Sequence, residues 1–268
     1  MTAAGILVTA DPAQRLEALC TAFKLPTLKS ELAQRLRDAG LAEALEIVVE
    51  VFELEAADRQ QRRVDRLRRA SQLPPGKTFD SLDLKRLPRK LRTQLRDLAR
   101  GQFVERCANV LAFGLPGAGK THAMIALGHA LVERGIAVYF TPAFKLVQQL
   151  LAAKRDLELP RLLRNLDRFD VIVLDDLGYV QQSPEDAEVL FTLMAERYER
   201  RSLVVTSNLV FSQWDRIFGN PMATAAAIDR VVHHSVILEF DVPSKRAEDA
   251  AHAIATAGSA PVDKEDNA

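Results

Sequence analysis

From about residue 108 onward, the chain alternates between short apolar runs and longer stretches with apolar residues at helical spacing. Because strands that alternate with helices pair in parallel, this pattern predicts an α/β fold: a parallel five-stranded sheet with helices on both faces. The predicted strands are Asn109 to Phe113, Ile136 to Phe140, Val171 to Asp175, Ser202 to Thr206 and Ser235 to Phe240. The predicted intervening helices lie around Thr121 to Glu133, Ala143 to Ala153 and Pro184 to Arg200.

The N-terminal part of the chain follows the helical period alone. Between Asp11 and Glu55 apolar residues recur every three or four positions, and Pro26 and Gly40 interrupt them. A further helix is predicted from Ala56 to Gln72, because its arginines share one side by the same spacing. Those arginines are Arg59, Arg62, Arg63, Arg66 and Arg69.

These patterns predict four segments along the chain. Residues 1–73 form a small all-helical domain that includes the basic helix, and Pro74-Pro75-Gly76 ends it. Residues 74–107 form a linker and a second basic helix, from Pro88 to Gly101. Residues 108–256 form the α/β core, and residues 257–268, rich in Ala, Gly, Pro and charge, form a flexible tail.

The charges are distributed unevenly, although 36 basic and 36 acidic residues give a formal net charge of zero. Residues 59–106 carry a net charge of +10, and the segments on either side carry −5 each. Such a segment attracts a phosphate backbone without selecting a sequence, which favours non-specific duplex DNA as a partner. Pairing of the same arginines with acidic surface, within the chain or between subunits, is the alternative. The segment lacks interleaved aromatic residues, which argues against recognition of single strands by stacking.

The composition, 48% hydrophobic and 27% charged, is typical of soluble globular proteins. No apolar stretch approaches the roughly 20 residues of a membrane span, and no basic segment precedes the apolar patch near Met1, so we expect a cytoplasmic protein without a membrane partner. Cys20 and Cys107 are far apart and have no partners at metal-ligand spacing. They are expected to be reduced thiols.

A complete phosphate-binding motif, G-x-x-x-x-G-K-[ST], lies between the first predicted strand and the helix after it. Its glycines let successive backbone N–H groups point at phosphate oxygens, and the helix start adds its positive dipole end. Lys120 is expected to reach the β- and γ-phosphates, and the Thr121 hydroxyl to bind Mg²⁺. The predicted nucleotide-binding residues are Gly114, Leu115, Pro116, Gly117, Ala118, Gly119, Lys120, Thr121 and His122.

Two later strands end in polar residues that suit the same nucleotide. The run from Phe169 ends in Asp175 and Asp176, and the strand from Ser202 is followed by Asn208. Asp175 is expected to hold Mg²⁺ through water, and Asp176 to orient and polarise the attacking water. Asn208 is a candidate sensor of the γ-phosphate; a turn role for Asn208, or a cap role for Asp176, is the alternative.

The chain resembles IstB, the AAA+ ATPase family that assists transposition of bacterial insertion sequences. The resemblance rests on the phosphate-binding loop, on Val173 to Tyr179 and on further segments that follow in order. These are Arg197 to Arg200, Thr206 to Asn208, and the stretches Phe211 to Pro221 and Ala226 to Ser235. It implies a P-loop NTPase (AAA+) fold, Mg²⁺-dependent ATP hydrolysis, self-assembly on duplex DNA and cooperation with a transposase.

The resemblance also implies that an arginine from one subunit completes the site of its neighbour in a homo-oligomer. Arg230 stands at the matching place, and Arg216 is the second candidate. The chain departs from the family after the final strand, where Arg246 is a weak match to a further sensor residue. A structural arginine is the alternative for Arg230 and for Arg216.

Two other functions compete with this one. A DnaC-like loader of the replicative helicase shares the same ATPase core, and its N-terminal region would dock on a helicase. A monomeric nucleotide kinase is disfavoured, because no lid-like arginine cluster follows Asp176. His233 and His234 are interpreted as structural, and the single tryptophan, Trp214, as a packing anchor.

Overall fold

The computed structural model describes residues 11–179, 183–244 and 248. The chain divides into two compact units, and the division falls between Arg66 and Leu67. The predicted tail at residues 257–268 and the candidate Arg246 lie outside the described residues. Within the described part, no helix combines the length and the apolar character that crossing a membrane requires.

The first unit is helical, and its helices are held by a small apolar core. One long helix replaces the two that the sequence pattern predicts, so the predicted break at Ala56 is wrong. No Pro or Gly occurs between Ala44 and Ala70, so nothing interrupts the backbone hydrogen bonds there. The helices are α1 (Pro12–Phe23), α2 (Pro26–Asp38) and α3 (Ala44–Ala70), the last of which continues past the division at Arg66. The buried core residues are Leu16, Leu19, Cys20, Leu45 and Val49.

The second unit contains a parallel sheet of five strands in the order β2-β3-β4-β1-β5. The strands are β1 (Asn109–Gly114), β2 (Val138–Pro142), β3 (Val171–Asp175), β4 (Ser202–Ser207) and β5 (Ser235–Phe240). The five predicted strands are all present, although β2 begins two residues later than predicted. β4 lies between β3 and β1, so the carboxyl ends of these three strands share one edge of the sheet.

Helices that follow the strands cover the sheet, and the predicted α/β fold class is confirmed. Of the predicted helices, that from Pro184 ends at Arg197, three residues before the predicted end. Short 3-10 turns occur at Leu84–Arg86, Leu177–Tyr179 and Phe211–Gln213. The helices are α4 (Arg89–Leu98), α5 (Gln102–Glu105), α6 (Lys120–Glu133), α7 (Ala143–Arg155), α8 (Leu159–Leu166), α9 (Pro184–Arg197), α10 (Asp215–Phe218) and α11 (Pro221–Val232).

Arg197 is a buried cation at the edge of the sheet opposite the carboxyl ends of the strands. Its guanidinium donates hydrogen bonds to the carbonyl oxygens of Leu166, Phe169 and Ser202, at 3.0–3.2 Å. Burial lowers the pKa of Arg197 to about 10, so the side chain remains charged at neutral pH. Arg197 therefore satisfies carbonyl groups that flank the starts of β3 and β4, which is a structural role.

Trp214 is fully buried and anchors the chain that leaves β4. Its ring contacts Phe113, Phe211 and Phe218, with centroids 5.2–6.3 Å apart. The indole N–H donates to the carbonyl oxygen of Leu209 at 3.2 Å, so its polar atom is satisfied inside the core. The prediction that Trp214 is a packing anchor is confirmed.

Candidate nucleotide-binding site

The phosphate-binding loop joins β1 to α6 and has a conformation that depends on glycine. At Gly114 the backbone has a φ of 152°, and a Cβ there would lie 2.5 Å from the carbonyl oxygen of Phe240. Gly117 and Gly119 have φ values of 82° and 93°, in the left-handed region that other residues adopt at a cost. The loop therefore curls tightly beside β5 and ends where α6 begins, at Lys120.

The Lys120 side chain is directed back along this loop and is only 5% exposed. Its ammonium group donates to the carbonyl oxygens of Gly114 and Leu115 at 2.7 and 2.9 Å. Gly114 and Leu115 thus contribute main-chain atoms that position the lysine, and the Leu115 side chain is exposed. A buried ammonium held beside a Gly-rich loop and a helix N-terminus is suited to phosphate.

Asp175, at the end of β3, accepts hydrogen bonds from two hydroxyl groups through the same carboxylate oxygen. Thr121 Oγ1 donates to Asp175 Oδ1 at 2.8 Å, and Thr206 Oγ1 donates to it at 2.7 Å. The structure therefore brings together the two residues predicted to hold magnesium. A carboxylate beside a threonine hydroxyl is an oxygen-only donor set, which fits Mg²⁺.

Thr206 is a residue of the site that the sequence analysis missed. It is fully buried in β4, and its hydroxyl also accepts the backbone N–H of Asp176 at 2.8 Å. One threonine therefore fixes the carboxylate of Asp175 and the main chain of Asp176. β4 also carries Ser202 and Ser207, so the strand sequence alone does not single out Thr206.

Asp176 has a left-handed backbone conformation, with a φ of 57°. Non-glycine residues adopt this conformation at a cost of roughly 1 kcal/mol or more, and such residues occur often at functional sites. Asp176 lines a cavity beside the phosphate-binding loop, together with Lys120 and Thr121. This position suits the proposed action on a water molecule next to a bound triphosphate.

Asn208 lines the same cavity from the end of β4. Its Oδ1 atom is buried and has no hydrogen-bond partner among the described residues. The side chain also lies against Gly178, where an added Cβ would collide with Asn208 Oδ1. A buried acceptor without a donor is costly, and in this conformation Oδ1 faces Gly178.

The cavity has a volume of about 300 Å³, and part of its wall comes from residues that the sequence analysis did not assign. Lys77, Ser81 and Arg86 line it before the sheet begins, and Pro243 lines it after β5. His122, which was predicted to bind the nucleotide, also lines the cavity. Its Nε2 atom is 3.0 Å from the Ser81 hydroxyl. Nothing in the spacing of residues 77–87 distinguishes them from an ordinary loop.

The candidate arginines lie away from this cavity. Arg230, on α11, donates to the carbonyl oxygen of Ala226 at 3.0 Å and stacks 4.8 Å from the ring centroid of Phe191. Arg216, on α10, is exposed. Neither arginine lines the cavity of its own chain.

The five arginines predicted to bind DNA are all exposed along α3. Arg59 is 2.5 Å from Glu55, and Arg62 is 3.5 Å from the same glutamate. Pairing with acidic residues is thus present within the helix, as the alternative interpretation expected. Exposed pairs of this kind contribute little, typically below about 1 kcal/mol, so phosphate can compete with them.

Solved structures similar to this chain include DnaI and DnaA. The crystal structure of DnaI matches with a TM-score of 0.52 at 20% identity and covers 66% of this chain and 95% of that one. The structure of AMPPCP-bound DnaA from Aquifex aeolicus matches with a TM-score of 0.52 at 16% identity, over 73% of this chain and 59% of that one. At these identities, the likeness shows the fold.

The relatives found by sequence are more nearly identical to this chain than these solved structures are. An insertion-sequence ATP-binding protein of Sinorhizobium fredii is 40% identical over 243 residues, 89% of this chain and 81% of that protein. The ATP-binding protein of insertion sequence IS21 from Pseudomonas aeruginosa is 35% identical, over 87% of this chain and 89% of that protein. The family model for IstB-like ATP binding proteins matches residues 12–253, and the chain belongs to that family.

Proposed function

We propose that the protein is a Mg²⁺-dependent ATPase that binds duplex DNA and assists a transposase in the transposition of an insertion sequence. Its ATP state would govern target capture and stimulation of the transposase. The observation that carries this proposal is the cavity beside the phosphate-binding loop. Lys120, Thr121 and Asp176 line this cavity, and the Thr121 hydroxyl donates a hydrogen bond to Asp175.

The residues of the cavity divide the chemistry among them. Lys120 and the loop N–H groups would bind the β- and γ-phosphates, while Thr121 and Asp175 would hold Mg²⁺, which neutralises charge on the phosphates when bound. Asp176 would orient the attacking water and accept its proton. Asn208, whose Oδ1 has no partner in the described part of the chain, would donate through its amide to the γ-phosphate or accept from the water.

An arginine from a neighbouring subunit would complete the site by stabilising negative charge on the γ-phosphate. Arg230 is the first candidate, because its guanidinium is only part-buried and lies outside the cavity of its own chain. Arg216 is the second candidate. Hydrolysis would therefore require a homo-oligomer, and ATP binding would be coupled to its assembly.

Duplex DNA would bind through the exposed arginines of α3, largely without regard to sequence. Five arginines share one face of the helix, within a segment of net charge +10. The IS21 relative is named as an ATP-binding protein of an insertion sequence. Membership of the same family is our reason for proposing a transposase as the partner. The partner in this proposal would be the transposase of the same insertion sequence.

The test uses the protein with a transposase of an insertion sequence whose ATP-binding protein is a close relative, together with donor DNA ends and a target duplex. We expect strand transfer to depend on this protein and ATP, and Asp176→Asn to bind ATP but hydrolyse it poorly. The kinetic readout is phosphate release, with and without duplex DNA. Normal turnover by Asp176→Asn would remove the role assigned to that carboxylate.

The competing function, loading of a replicative helicase, has a distinct outcome in the same experiment. A loader would deliver helicase to single-stranded DNA and leave strand transfer unchanged. The likeness to DnaI does not separate the two, because it reflects a shared fold at 20% identity. Strand transfer that is unaffected by this protein, together with ATP-dependent helicase loading, would establish the competing function.

A further inference from the structure

Three metal-ligating side chains meet on the surface of the second unit, outside the nucleotide cavity. Glu199 follows α9, while His233 and His234 lie between α11 and β5. One ligand atom from each residue lies within 4.8 Å of both others, and all three residues are exposed. No sequence pattern indicates this cluster, because Glu199 is far from the two histidines along the chain.

We propose that Glu199, His233 and His234 form a binding site for a borderline divalent transition ion, of which Zn²⁺ is the representative. Imidazole nitrogen and carboxylate oxygen are ligands that Zn²⁺ prefers, and two histidines with one glutamate make a known three-ligand set. Water would supply the remaining position. The site is distinct from the magnesium site, which presents only oxygen.

The backbone beneath the two histidines is fixed by hydrogen bonds. The N–H of His233 donates to the carbonyl oxygen of Asp229 at 3.0 Å, and the carbonyl oxygen of His234 accepts the N–H of Asn109 at 2.7 Å. Glu199 has a left-handed backbone, with a φ of 55°. The side chains are exposed and can change rotamer, while the backbone that carries the two histidines is held in place.

Tyr198 orients one of the imidazoles. Its hydroxyl lies 3.0 Å from His233 Nδ1, which leaves Nε2 of that ring for an ion. Metal-ligating histidines commonly use their second nitrogen in such a contact, and the partner fixes the tautomer. On the other ring, His234 Nε2 is 3.9 Å from a carboxylate oxygen of Glu199.

Only small side-chain movements separate this arrangement from a closed site. With metal–ligand distances near 2.1 Å, ligand atoms in a tetrahedral site lie about 3.4 Å apart. Rotation of exposed side chains covers the difference from 4.8 Å. A bound ion would link the end of α9 to the junction of α11 and β5, close to Arg230 on α11.

The test is metal titration of the tag-free, full-length protein in excess Mg²⁺, so that the oxygen ligands of the nucleotide cavity are occupied. We expect one Zn²⁺ per chain by calorimetry and a visible absorption spectrum with Co²⁺. Zn²⁺ should also raise the unfolding temperature, because it binds the folded state. Glu199→Gln and His234→Ala should each weaken Zn²⁺ binding at least about tenfold, and Tyr198→Phe about tenfold.

Glu196→Gln is the matched control, since Glu196 is an exposed carboxylate at the end of α9 that does not belong to the cluster. It should bind Zn²⁺ as the parent does. Unfolding temperatures without metal should be equal in all variants, which separates loss of the site from loss of the fold. Absence of Zn²⁺ binding at micromolar concentrations, or binding that survives both Glu199→Gln and His234→Ala, would overturn the proposal.

Discussion

At the scale of single residues, Lys120 shows how a buried cation prepares a phosphate site. Its ammonium is held by two carbonyl oxygens of the loop. We expect Lys120→Ala to weaken ATP binding by about 100-fold or more, because the variant cannot make a charge-assisted hydrogen bond to phosphate. Calorimetry or a fluorescent ATP analogue measures this affinity. Lys145→Ala, which removes an exposed lysine of α7, is the control, and equal affinities in the two variants would contradict the site.

Thr206 joins the two aspartates of the site through one hydroxyl. Thr206→Val keeps the shape of the side chain but removes a donor to Asp175 and leaves the N–H of Asp176 without its acceptor. We expect a loss of about 1–3 kcal/mol in the free energy of unfolding and a slower ATP turnover, with Mg²⁺ required at higher concentration. Urea unfolding and phosphate release measure the two effects. Thr206→Ser should retain both properties, and full turnover by Thr206→Val would show that this hydroxyl does not position the carboxylates.

Residues whose roles follow from neighbouring positions in the sequence were predicted, and residues whose roles depend on contacts with distant positions were missed. Lys120 and Thr121 follow from local spacing, and Asp175 from the end of an apolar strand. Thr206 and Arg86 act through contacts with residues far along the chain, so no local pattern identifies them. The role of Thr206 becomes evident only when the sheet order places β4 beside β3.

At the scale of elements, the strands were easier to predict than the helix boundaries. Parallel strands buried on both faces give continuous apolar runs, as in β1, β2, β3 and β4, and the partly exposed β5 was also predicted. The predicted break in α3 was wrong, because the change from apolar to basic residues near Ala56 alters the surface of the helix and not its backbone. α8, which is short and amphipathic, was missed.

The element that carries the DNA proposal is α3. Charge reversal at Arg62, Arg63 and Arg66 should weaken duplex binding and reduce the salt dependence of its affinity, by about 0.9 in the log–log slope for each phosphate that the variant no longer neutralises. Fluorescence anisotropy over a series of salt concentrations measures both quantities. The matched control is reversal at Arg35 and Arg37 of α2, which are also exposed and make hydrogen bonds within their own helix. An unaltered slope in the α3 variant would assign these arginines to pairing within the protein.

At the scale of the whole molecule, the cationic side chains that line the cavity, among the described residues, are Lys77, Arg86 and Lys120, and both candidate arginines lie outside it. Arg86 is the one arginine among the described residues that line the cavity. It donates to the carbonyl oxygen of Pro243 and pairs with Glu248, so it is engaged in holding the wall. Arg230 and Arg216 lie elsewhere on the same chain. If the proposed ATPase uses Arg230 or Arg216 at the γ-phosphate, that arginine has to come from a neighbouring subunit, because neither lines the cavity of its own chain.

Complementation between two inactive variants tests that arrangement. Arg230→Ala should retain ATP binding and lose turnover by about 10³-fold, as expected for an arginine that stabilises the transition state. Asp176→Asn should bind ATP, lose turnover and still present Arg230 to a neighbour. When the two are mixed, phosphate release should recover, because an intact cavity of an Arg230→Ala subunit then meets the arginine of an Asp176→Asn subunit. Arg216→Ala in place of Arg230→Ala identifies which arginine acts, and a mixture no more active than its components would place catalysis within a single chain.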